Sequence, residues 1–368
     1  MSTKKDKFTF QDKIYMEIAL DLAKSKMGLT GENPSVGCVI VKNDKIISVG
    51  QTSYKGRPHA EYNAIKNSIE DLNGSKMYVT LEPCCHHGLT PPCTKMIIKS
   101  KISEVIYSVP DVDSRVRNRS FKILMNNKIN VKKGLLKEKV KNFYSPYFLN
   151  RKHQIPYLTG KIAISNNNLI YSKNNKKITN IHSDKFTHFL RYKNDSLLIT
   201  YKTLNKDNPK LNCRLKGLEK YSPMRVILDN ELNAKLNSYI MKTANKNNTI
   251  IFYNKASKKK ILGLKKRNIK LIKSRIDNDR NFIFKIILKK LYDLGCRNLL
   301  IEGGNELTTH LLKLKMFNEF YLYKSSKNIP KLSEYLEFNG FELLKLKYKK
   351  KVNLNSRFGK DKITLYKN

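Results

Sequence analysis

Two short segments of the chain carry residues whose types and spacing suit metal-assisted chemistry. The first contains His59 and Glu61, and the second contains Cys84, directly after a proline, and Cys93, eight intervening residues further on. One imidazole and two thiolates give a zinc ion three protein ligands, which leaves the fourth tetrahedral position open, as in a catalytic site. The sequence therefore predicts a Zn²⁺ site formed by His59, Cys84 and Cys93.

Glu61 is the predicted catalytic acid/base of this site. A carboxylate two residues from the zinc histidine can take a proton from water and hand it to a leaving amine. A His-x-Glu segment followed by a Pro-Cys segment is typical of zinc-dependent base deaminases, in which the glutamate is not a ligand. A purely structural role for these residues is the alternative, and Cys85 competes with Cys84 as a ligand. We favour Cys84 because it directly follows Pro83.

The loop between the two cysteines distinguishes this chain from the general Pro-Cys-x-x-Cys deaminase signature. His87 stands where that signature has its second cysteine, and the next thiol follows Thr90-Pro91-Pro92. On these residues the chain resembles the bifunctional riboflavin-biosynthesis enzymes, which join a diaminohydroxyphosphoribosylaminopyrimidine deaminase to an aminophosphoribosylaminouracil reductase. The resemblance implies a small phosphoribosyl pyrimidine substrate, which Asn33 would bind in the deaminase half, and a possible homodimer or tetramer.

The composition favours a cytoplasmic protein without a membrane segment. No apolar run approaches the roughly 18 residues of a membrane span, and six cysteines suit a reducing compartment. The formal net charge of +43 suggests a nucleic-acid partner when taken alone. However, the lysines are spread evenly and accompany many Asn and Ile residues, as an A/T-biased coding sequence would produce. We expect no nucleic-acid partner, and keep a tRNA or single-stranded DNA base deaminase as the alternative.

Hydrophobic periodicity predicts two α/β domains. The resemblance implies that residues 1–149 form the zinc-dependent deaminase and residues 150–368 the NADPH-dependent reductase. The first half is predicted to contain a helix over 12–27 capped by Asp12, a hairpin turning at Asn43-Asp44, and helices that begin near His59 and Cys93. Strands over 77–81 and 105–109 complete the order ββαβαβ of the cytidine-deaminase fold, a layered α/β/α domain. In that fold both metal-ligand segments lie at helix N-termini, where the positive helix end favours thiolates.

In the second half a strand runs into Glu302-Gly303-Gly304 and then into a helix. Glycines allow close backbone approach to a phosphate, and a helix N-terminus supplies unpaired N–H groups, although such a pair is also an ordinary turn. The other predicted strands cover 197–200, 225–228, 249–253, 320–323 and 362–366. The predicted helices cover about 183–192, 280–294 and 305–315.

The same family resemblance extends through the second half, whose fold would be similar to dihydrofolate reductase and would bind NADPH. It rests on Lys161-Ile162-Ala163-Ile164-Ser165, on His188-Phe189-Leu190-Arg191 and on the ungapped segment from Thr203 to Arg214. The residues that the resemblance assigns to NADPH are Ile164, Lys177, Thr203, Asp207, Asn230 and Gly304. Those that it assigns to the substrate are Lys161, Asn175, Arg191, Leu211, Arg214 and Glu302.

Several substrate-side positions depart from the family pattern. Thr52 replaces an expected histidine, Leu89 replaces a basic residue, and Asn167-Asn168 replaces Asp-Gly. Lys177 stands where an aromatic residue is expected. A monofunctional deaminase with a degenerate reductase domain is therefore the second alternative to the bifunctional enzyme.

Overall fold

The computed structural model describes residues 7–172, 177–354 and 358–368. Two compact units divide the chain, Met1–Gln154 and Ile155–Asn368. A nine-residue helix, Ser145–His153, closes the first unit and contains residues 149 and 150.

The first unit is built on a sheet with the strand order β2-β1-β3-β4-β5. Its strands are β1 (Gly37–Lys42), β2 (Lys45–Gln51), β3 (Lys76–Leu81), β4 (Glu104–Val109) and β5 (Asn130–Lys133). Its helices are α1 (Phe10–Lys26), α2 (Ala60–Asn67), α3 (Cys93–Lys99), α4 (Arg119–Asn126), α5 (Lys137–Phe143) and α6 (Ser145–His153). β1 pairs antiparallel with β2 and β3, whereas β3, β4 and β5 are parallel.

Alternate residues of β1 point to opposite faces of this sheet and pack against different helices. Val39 is buried in a cluster with Met16 of α1. Cys38 is buried in another cluster with Ala64 of α2. Helices therefore cover both faces, which is the α/β/α layering that the sequence predicts.

Two glycines allow these helices to lie unusually close to the sheet. A Cβ atom on Gly37 would lie 1.9 Å from the carbonyl oxygen of Ala19 in α1. A Cβ atom on Gly50 would lie 2.2 Å from the carbonyl oxygen of Ala60 in α2. Because α2 begins directly after His59, Gly50 fixes the depth at which this candidate ligand sits over the sheet.

The start of α1 differs from the prediction that Asp12 is the N-cap. The N-cap is Thr9, whose hydroxyl accepts a hydrogen bond from the Asp12 backbone N–H at 3.1 Å. The Asp12 carboxylate accepts the Thr9 backbone N–H at 2.7 Å in return. This reciprocal capping box satisfies two N–H groups, so the helix begins earlier than the hydrophobic periodicity indicates.

The second unit contains a larger sheet with the order β11-β10-β9-β8-β12-β6-β13-β16-β15, and a separate β14-β7 pair. Its strands are β6 (Tyr157–Ile164), β7 (Leu169–Ser172), β8 (Ser196–Thr200), β9 (Met224–Leu228), β10 (Thr249–Tyr253), β11 (Lys270–Lys273), β12 (Asn298–Ile301), β13 (Glu319–Lys324), β14 (Tyr335–Glu337), β15 (Lys350–Asn353) and β16 (Lys362–Lys367). Its helices are α7 (Ile181–Tyr192), α8 (Tyr201–Asp207), α9 (Tyr239–Lys242), α10 (Lys258–Lys265), α11 (Phe284–Asp293), α12 (Asn305–Lys313) and α13 (Phe341–Lys347). The strands from β11 to β13 along the sheet are parallel, and β16 and β15 add antiparallel pairs.

The order of the parallel strands reverses around β6, which lies between β12 and β13. From β6 the chain crosses to β8, proceeds outward to β11 and then returns to β12 beside its starting point. In open α/β sheets, ligands bind outside the carboxyl ends of the strands at such a reversal. No helix of the described ranges has the length and apolar character that crossing a membrane requires.

Candidate functional site

Each predicted zinc ligand lies at the end of a regular element of the first unit. His59 is the N-cap residue of α2, and Cys93 is the first residue of α3. Cys84 follows β3 after two further residues. The chain folds in this way locally because Pro83 cannot continue the interior of a strand and Pro92 cannot lie in the interior of a helix. Cys84 therefore lies just after a strand, and Cys93 lies at the start of a helix.

The three ligand atoms converge at one point. The Nδ1 atom of His59 lies 3.5 Å from the Sγ atoms of both Cys84 and Cys93. All three atoms lie within 4.8 Å of one another. A tetrahedral zinc with Zn–S of about 2.3 Å and Zn–N of about 2.0 Å places nitrogen and sulfur about 3.5 Å apart. The donor set and its dimensions therefore fit a zinc ion.

Local electrostatics prepare this site for a cation. The thiol of Cys93 and its backbone N–H, together with His59, stabilise the Cys84 thiolate and lower the pKa of Cys84 to about 4, against the effect of burial. The Cys93 N–H lies 3.3 Å from the Cys84 sulfur. A thiolate is the form that binds a metal ion.

Glu61 is buried on the first turn of α2, with 4% of its surface exposed. Burial raises the pKa of Glu61 to about 7, although His59 opposes this shift. A carboxyl group with this pKa can both accept and return a proton near neutral pH. The side chain is thus suited to proton transfer beside the ligand cluster.

Cys85 does not join this cluster. Its Sγ atom lies 3.4 Å from the carbonyl oxygen of Arg115, to which the thiol donates. Burial raises the pKa of Cys85, so its thiol form is favoured. The geometry therefore supports the preference for Cys84 over Cys85.

Asn33 is held beside the site by the turn that precedes α2. Its side-chain N–H donates to the carbonyl oxygen of Gly56 at 3.0 Å. Thr52, which replaces the expected histidine, is buried and uses its hydroxyl to accept the Val36 backbone N–H at 2.9 Å. Thr52 thus has a structural role.

The segment after β4 is held by carboxylates that the sequence analysis did not single out. Glu82 accepts the backbone N–H groups of Asp111 and Asn118 at 3.3 and 3.1 Å. Asp113 forms an ion pair with Arg115, with a nitrogen–oxygen distance of 2.6 Å. The Asp111 carboxylate accepts the Tyr147 hydroxyl at 3.0 Å. Both aspartates are therefore paired within the protein.

In the second unit, Arg191 of α7 and Glu302 at the end of β12 form a bidentate ion pair. The Nε and Nη2 atoms donate to the two carboxylate oxygens at 2.7 and 2.8 Å. Both side chains are largely buried, with 10% and 14% of their surfaces exposed. Burial tends to raise the pKa of Glu302, but Arg191 and Lys161 lower it overall, so the carboxylate stays ionised.

Three further residues surround this ion pair. Lys161 places its Nζ atom 4.7 Å above the ring of Tyr323, and burial lowers its pKa while Glu302 opposes the shift. His188 donates from Nδ1 to the carbonyl oxygen of Asn212 at 3.1 Å. The structure thus brings together Lys161, Arg191 and Glu302, all of which the resemblance assigns to the substrate.

Leu211 and Arg214 lie on the segment that follows α8. Leu211 is buried and has a φ of 53°, a strained conformation for a branched side chain. Arg214 is exposed and donates to the Asn212 side chain at 2.9 Å. Burial lowers the pKa of Arg214, and the positive charge of nearby Arg191 lowers it further.

The predicted cofactor residues lie at the carboxyl ends of neighbouring strands. A Cβ atom on Gly304, the N-cap of α12, would lie 3.5 Å from the Thr203 hydroxyl, so these two residues face each other. Asn230, after β9, donates to the Arg280 carbonyl at 2.8 Å and keeps a buried amide oxygen without a partner among the described residues. An unsatisfied buried oxygen and a glycine cradle at a helix N-terminus fit a dinucleotide.

The positions of the remaining predicted residues give less direct support for a role in cofactor or substrate binding. The Ile164 side chain is fully buried in the core, so only its backbone faces the carboxyl edge. Asp207 is exposed at the end of α8. Lys177 forms an ion pair with Asp184 of α7 at 3.0 Å. Asn175 lies outside the described residues.

Comparison with known proteins gives matches for both units. Residues 9–109 match the cytidine and deoxycytidylate deaminase zinc-binding region, and residues 159–354 match the RibD C-terminal domain. The riboflavin biosynthesis protein RibD of Aquifex aeolicus is 34% identical over 318 residues, covering 86% of this chain and 87% of that protein. This chain belongs to the RibD family.

Other RibD proteins match at similar levels. That of Actinobacillus pleuropneumoniae is 32% identical, covering 87% of this chain and 85% of its own length. The Acinetobacter baumannii RibD structure has a TM-score of 0.84 and 26% identity, covering 97% of this chain and 98% of that one. A deaminase/reductase structure from Thermotoga maritima has a TM-score of 0.80 and 28% identity, with the same coverage of both chains.

Membership in the RibD family confirms an α/β enzyme of riboflavin biosynthesis with deaminase and reductase activities. It also confirms zinc and NADPH as the cofactors expected from the sequence. The nucleic-acid deaminase and the monofunctional deaminase are not favoured.

Sequence analysis missed Arg57 beside the metal ligands and His188 beside the ion pair of the reductase unit. The signal for His188 was present, since it belongs to the quoted segment that ends at Arg191. No sequence signal marks Arg57, because its position depends on how the Cys84–Cys93 loop folds back onto it.

Proposed function

We propose that His59, Cys84 and Cys93 hold the catalytic zinc ion, and that Glu61 is the acid/base of the deamination. The observation that carries this proposal is the 3.5 Å separation of the His59 Nδ1 atom from both cysteine sulfurs. Bound zinc supplies a Lewis acid that activates water for hydrolysis of the amino group.

Glu61 takes the proton of the attacking water at its carboxylate and delivers it to the departing ammonia. Its burial supports this role, because a raised pKa lets the same carboxyl group serve in both directions. The amide oxygen of Asn33 accepts a hydrogen bond from the pyrimidine, while its N–H group stays on Gly56. The substrate in this proposal is 2,5-diamino-6-(5-phosphoribosylamino)pyrimidin-4-one.

We propose that the reductase unit converts the ribosyl group to ribityl with NADPH, which supplies the hydride. Thr203, Asn230 and the N-terminus of α12 at Gly304 hold the cofactor along the carboxyl edge of the sheet. Arg191 and Arg214 bind the substrate phosphate. Lys161 lies beside the substrate ribose, where its ammonium group orients the hydroxyls.

Glu302 positions Arg191 for this task, because a bidentate carboxylate fixes the plane of the guanidinium group. The Nη1 atom donates to the Asn212 carbonyl at 3.2 Å, which fixes the third direction. A guanidinium held in this way does not lose side-chain freedom when a phosphate arrives.

The deaminase proposal is tested with Glu61→Gln. We expect the variant to retain stoichiometric zinc, to lose ammonia release by about 10²- to 10⁴-fold, and to keep reductase activity on the deaminated intermediate. Zinc content, ammonia release and NADPH oxidation are measured on the same preparation. Turnover near that of the unmodified protein would remove Glu61 from the mechanism.

We propose in addition that the protein acts in the cytoplasm on this small phosphorylated substrate. The even spread of lysines along the chain supports this over a nucleic-acid groove. Self-association stays a prediction of the sequence analysis, which light scattering tests directly.

A further inference from the structure

Arg57 lies against the loop that joins Cys84 to Cys93. Its Nη1 atom donates to the Thr90 hydroxyl at 2.9 Å. Its Nη2 atom would lie 3.7 Å from a Cβ atom on Gly88. The guanidinium therefore sits directly beside residue 89, on the chain segment that leads into the zinc site.

The other close neighbour of this guanidinium is the imidazole of His59, whose Nε2 atom lies 3.5 Å from Nη1. In His59 the Nδ1 atom faces the two thiol sulfurs, so a neutral ring that ligates through Nδ1 carries its hydrogen on Nε2. A guanidinium has only donors. Two donors facing one another form no hydrogen bond, so this contact does not satisfy Arg57.

Arg57 also lacks a charge partner within the described part of the chain, where no carboxylate oxygen lies within 4 Å of it. The guanidinium is half-buried, and the Thr90 hydroxyl is its one conventional hydrogen-bond acceptor among those residues. Arg115, by contrast, forms an ion pair with Asp113. A half-buried arginine with free donors is suited to an anion from solution.

The loop itself lacks a cation at the matching position. Leu89 stands where the family pattern has a basic residue. Its side chain is 88% exposed, so it lies outside the hydrophobic core. A positive charge beside this loop is supplied instead by Arg57, whose guanidinium donates to the Thr90 hydroxyl.

We propose that Arg57 binds the phosphate of the deaminase substrate, in place of a basic residue at position 89. This inference rests on the proposed deaminase function and adds the residue that selects a phosphorylated over an unphosphorylated substrate. The Thr90 hydroxyl holds one edge of the guanidinium, and the other edge donates to the phosphate oxygens.

The test compares ammonia release from the phosphoribosyl substrate and from its dephosphorylated counterpart. Arg57→Gln should lower kcat/KM for the phosphorylated substrate by about 10- to 100-fold, the loss of a hydrogen bond between charged groups. It should leave kcat/KM for the dephosphorylated substrate unchanged, because the zinc site is intact. Zinc content confirms that the variant folds.

Lys66→Gln is the matched control, since it removes one exposed positive charge from the end of the helix that follows His59. It should change neither value. In the double variant Arg57→Gln, Leu89→Lys, the new lysine should restore preference for the phosphorylated substrate. Leu89→Lys alone should lower KM for that substrate, which tests the proposal even where Arg57→Gln fails to fold.

An equal decrease in kcat/KM for both substrates in Arg57→Gln would show that Arg57 only holds the loop in place, and it would overturn the proposal. So would a loss of preference in Arg119→Gln but not in Arg57→Gln, because the phosphate would then lie at the start of α4. Absence of deamination of either substrate by the unmodified protein would instead refute the proposed function itself.

Discussion

Glu61 and Glu302 show that one side-chain type acquires opposite properties from its surroundings. Both are buried, which by itself disfavours the charged carboxylate. Among the described residues, Glu61 forms no ion pair with an arginine or a lysine, and burial raises its pKa to about 7. Glu302 faces Arg191 and Lys161, and its pKa falls below the usual value. The first is therefore suited to move protons and the second to hold a fixed negative charge.

The buried ion pair of the reductase unit should be sensitive to loss of one partner. Glu302→Ala leaves Arg191 buried without a counter-charge and should reduce the free energy of unfolding by about 3–5 kcal/mol. Urea unfolding followed by circular dichroism measures this. The control Glu306→Ala breaks an exposed pair with Lys202 and should cost at most about 1 kcal/mol. Equal losses of stability in the two variants would show that burial of the Arg191–Glu302 pair makes no difference.

His188 predicts a specific dependence of stability on pH. Burial, with Arg191 and Arg214 nearby, lowers its pKa from 6.5 to about 4. Between these two pH values the unfolded chain binds a proton at His188 that the folded chain does not bind. The contribution of His188 to the free energy of unfolding is therefore fully present above pH 6.5 and is lost as the pH falls toward about 4. His188→Asn keeps a donor for the Asn212 carbonyl and removes the titration. The urea midpoint should then fall less between about pH 7 and about pH 5 than in the unmodified protein.

The zinc ligands could be predicted from the sequence because their residue types and their spacing within short segments are typical of a zinc site. The Arg191–Glu302 pair was not, although both residues were identified, because 111 positions separate them. Only the placement of α7 against the end of β12 brings the two charges together. Arg57 was missed for a similar reason, since its partner Thr90 is 33 positions away.

At the scale of elements, the site depends on how closely α2 packs on β2. Gly50→Ala would place a methyl group 2.2 Å from the Ala60 carbonyl oxygen. The helix must move, which should destabilise the unit by about 1–3 kcal/mol and weaken zinc binding through His59. Thermal unfolding and competition with a zinc chelator measure the two effects.

Gly263→Ala is the control for this substitution, because it lies within α10 and a Cβ atom there meets nothing within 4 Å. It should stabilise the protein by about 0.5–1 kcal/mol by restricting the unfolded chain. Zinc binding unchanged in Gly50→Ala would show that the helix start tolerates the shift.

Strongly patterned elements were predicted closely, such as β10 at Thr249–Tyr253 and the strand that leads to Cys84. In the second unit the prediction omitted β6, an interior strand of the larger sheet, and several short elements. These are β7, α8, α9, α10, β11, β14, α13 and β15. These segments are brief or mix polar with apolar residues, so their conformation comes from tertiary neighbours. Asn168 is a separate case. Its φ of 63° explains why the family pattern has glycine at this position and why asparagine is tolerated there.

At the scale of the whole molecule, each unit has its own sheet and core. We therefore expect that removing zinc with a chelator abolishes ammonia release while NADPH oxidation with the deaminated intermediate continues. Re-addition of zinc should restore ammonia release. A parallel loss of both activities on chelation would show that the reductase depends on the metal.

The position of β6 in the interior of the larger sheet has a consequence for synthesis on the ribosome. β6 opens the second unit, yet its sheet neighbours β12 and β13 emerge more than a hundred residues later, and the Leu158 N–H bonds to Asn318 across 160 positions. Contacts between residues so far apart in the sequence form slowly and late in folding. During translation of the reductase unit, β6 therefore stays unpaired until β12 and β13 have been synthesised. The deaminase unit has all its strands within Met1–Gln154 and can fold first. Chaperone dependence during translation should accordingly be concentrated in the second unit.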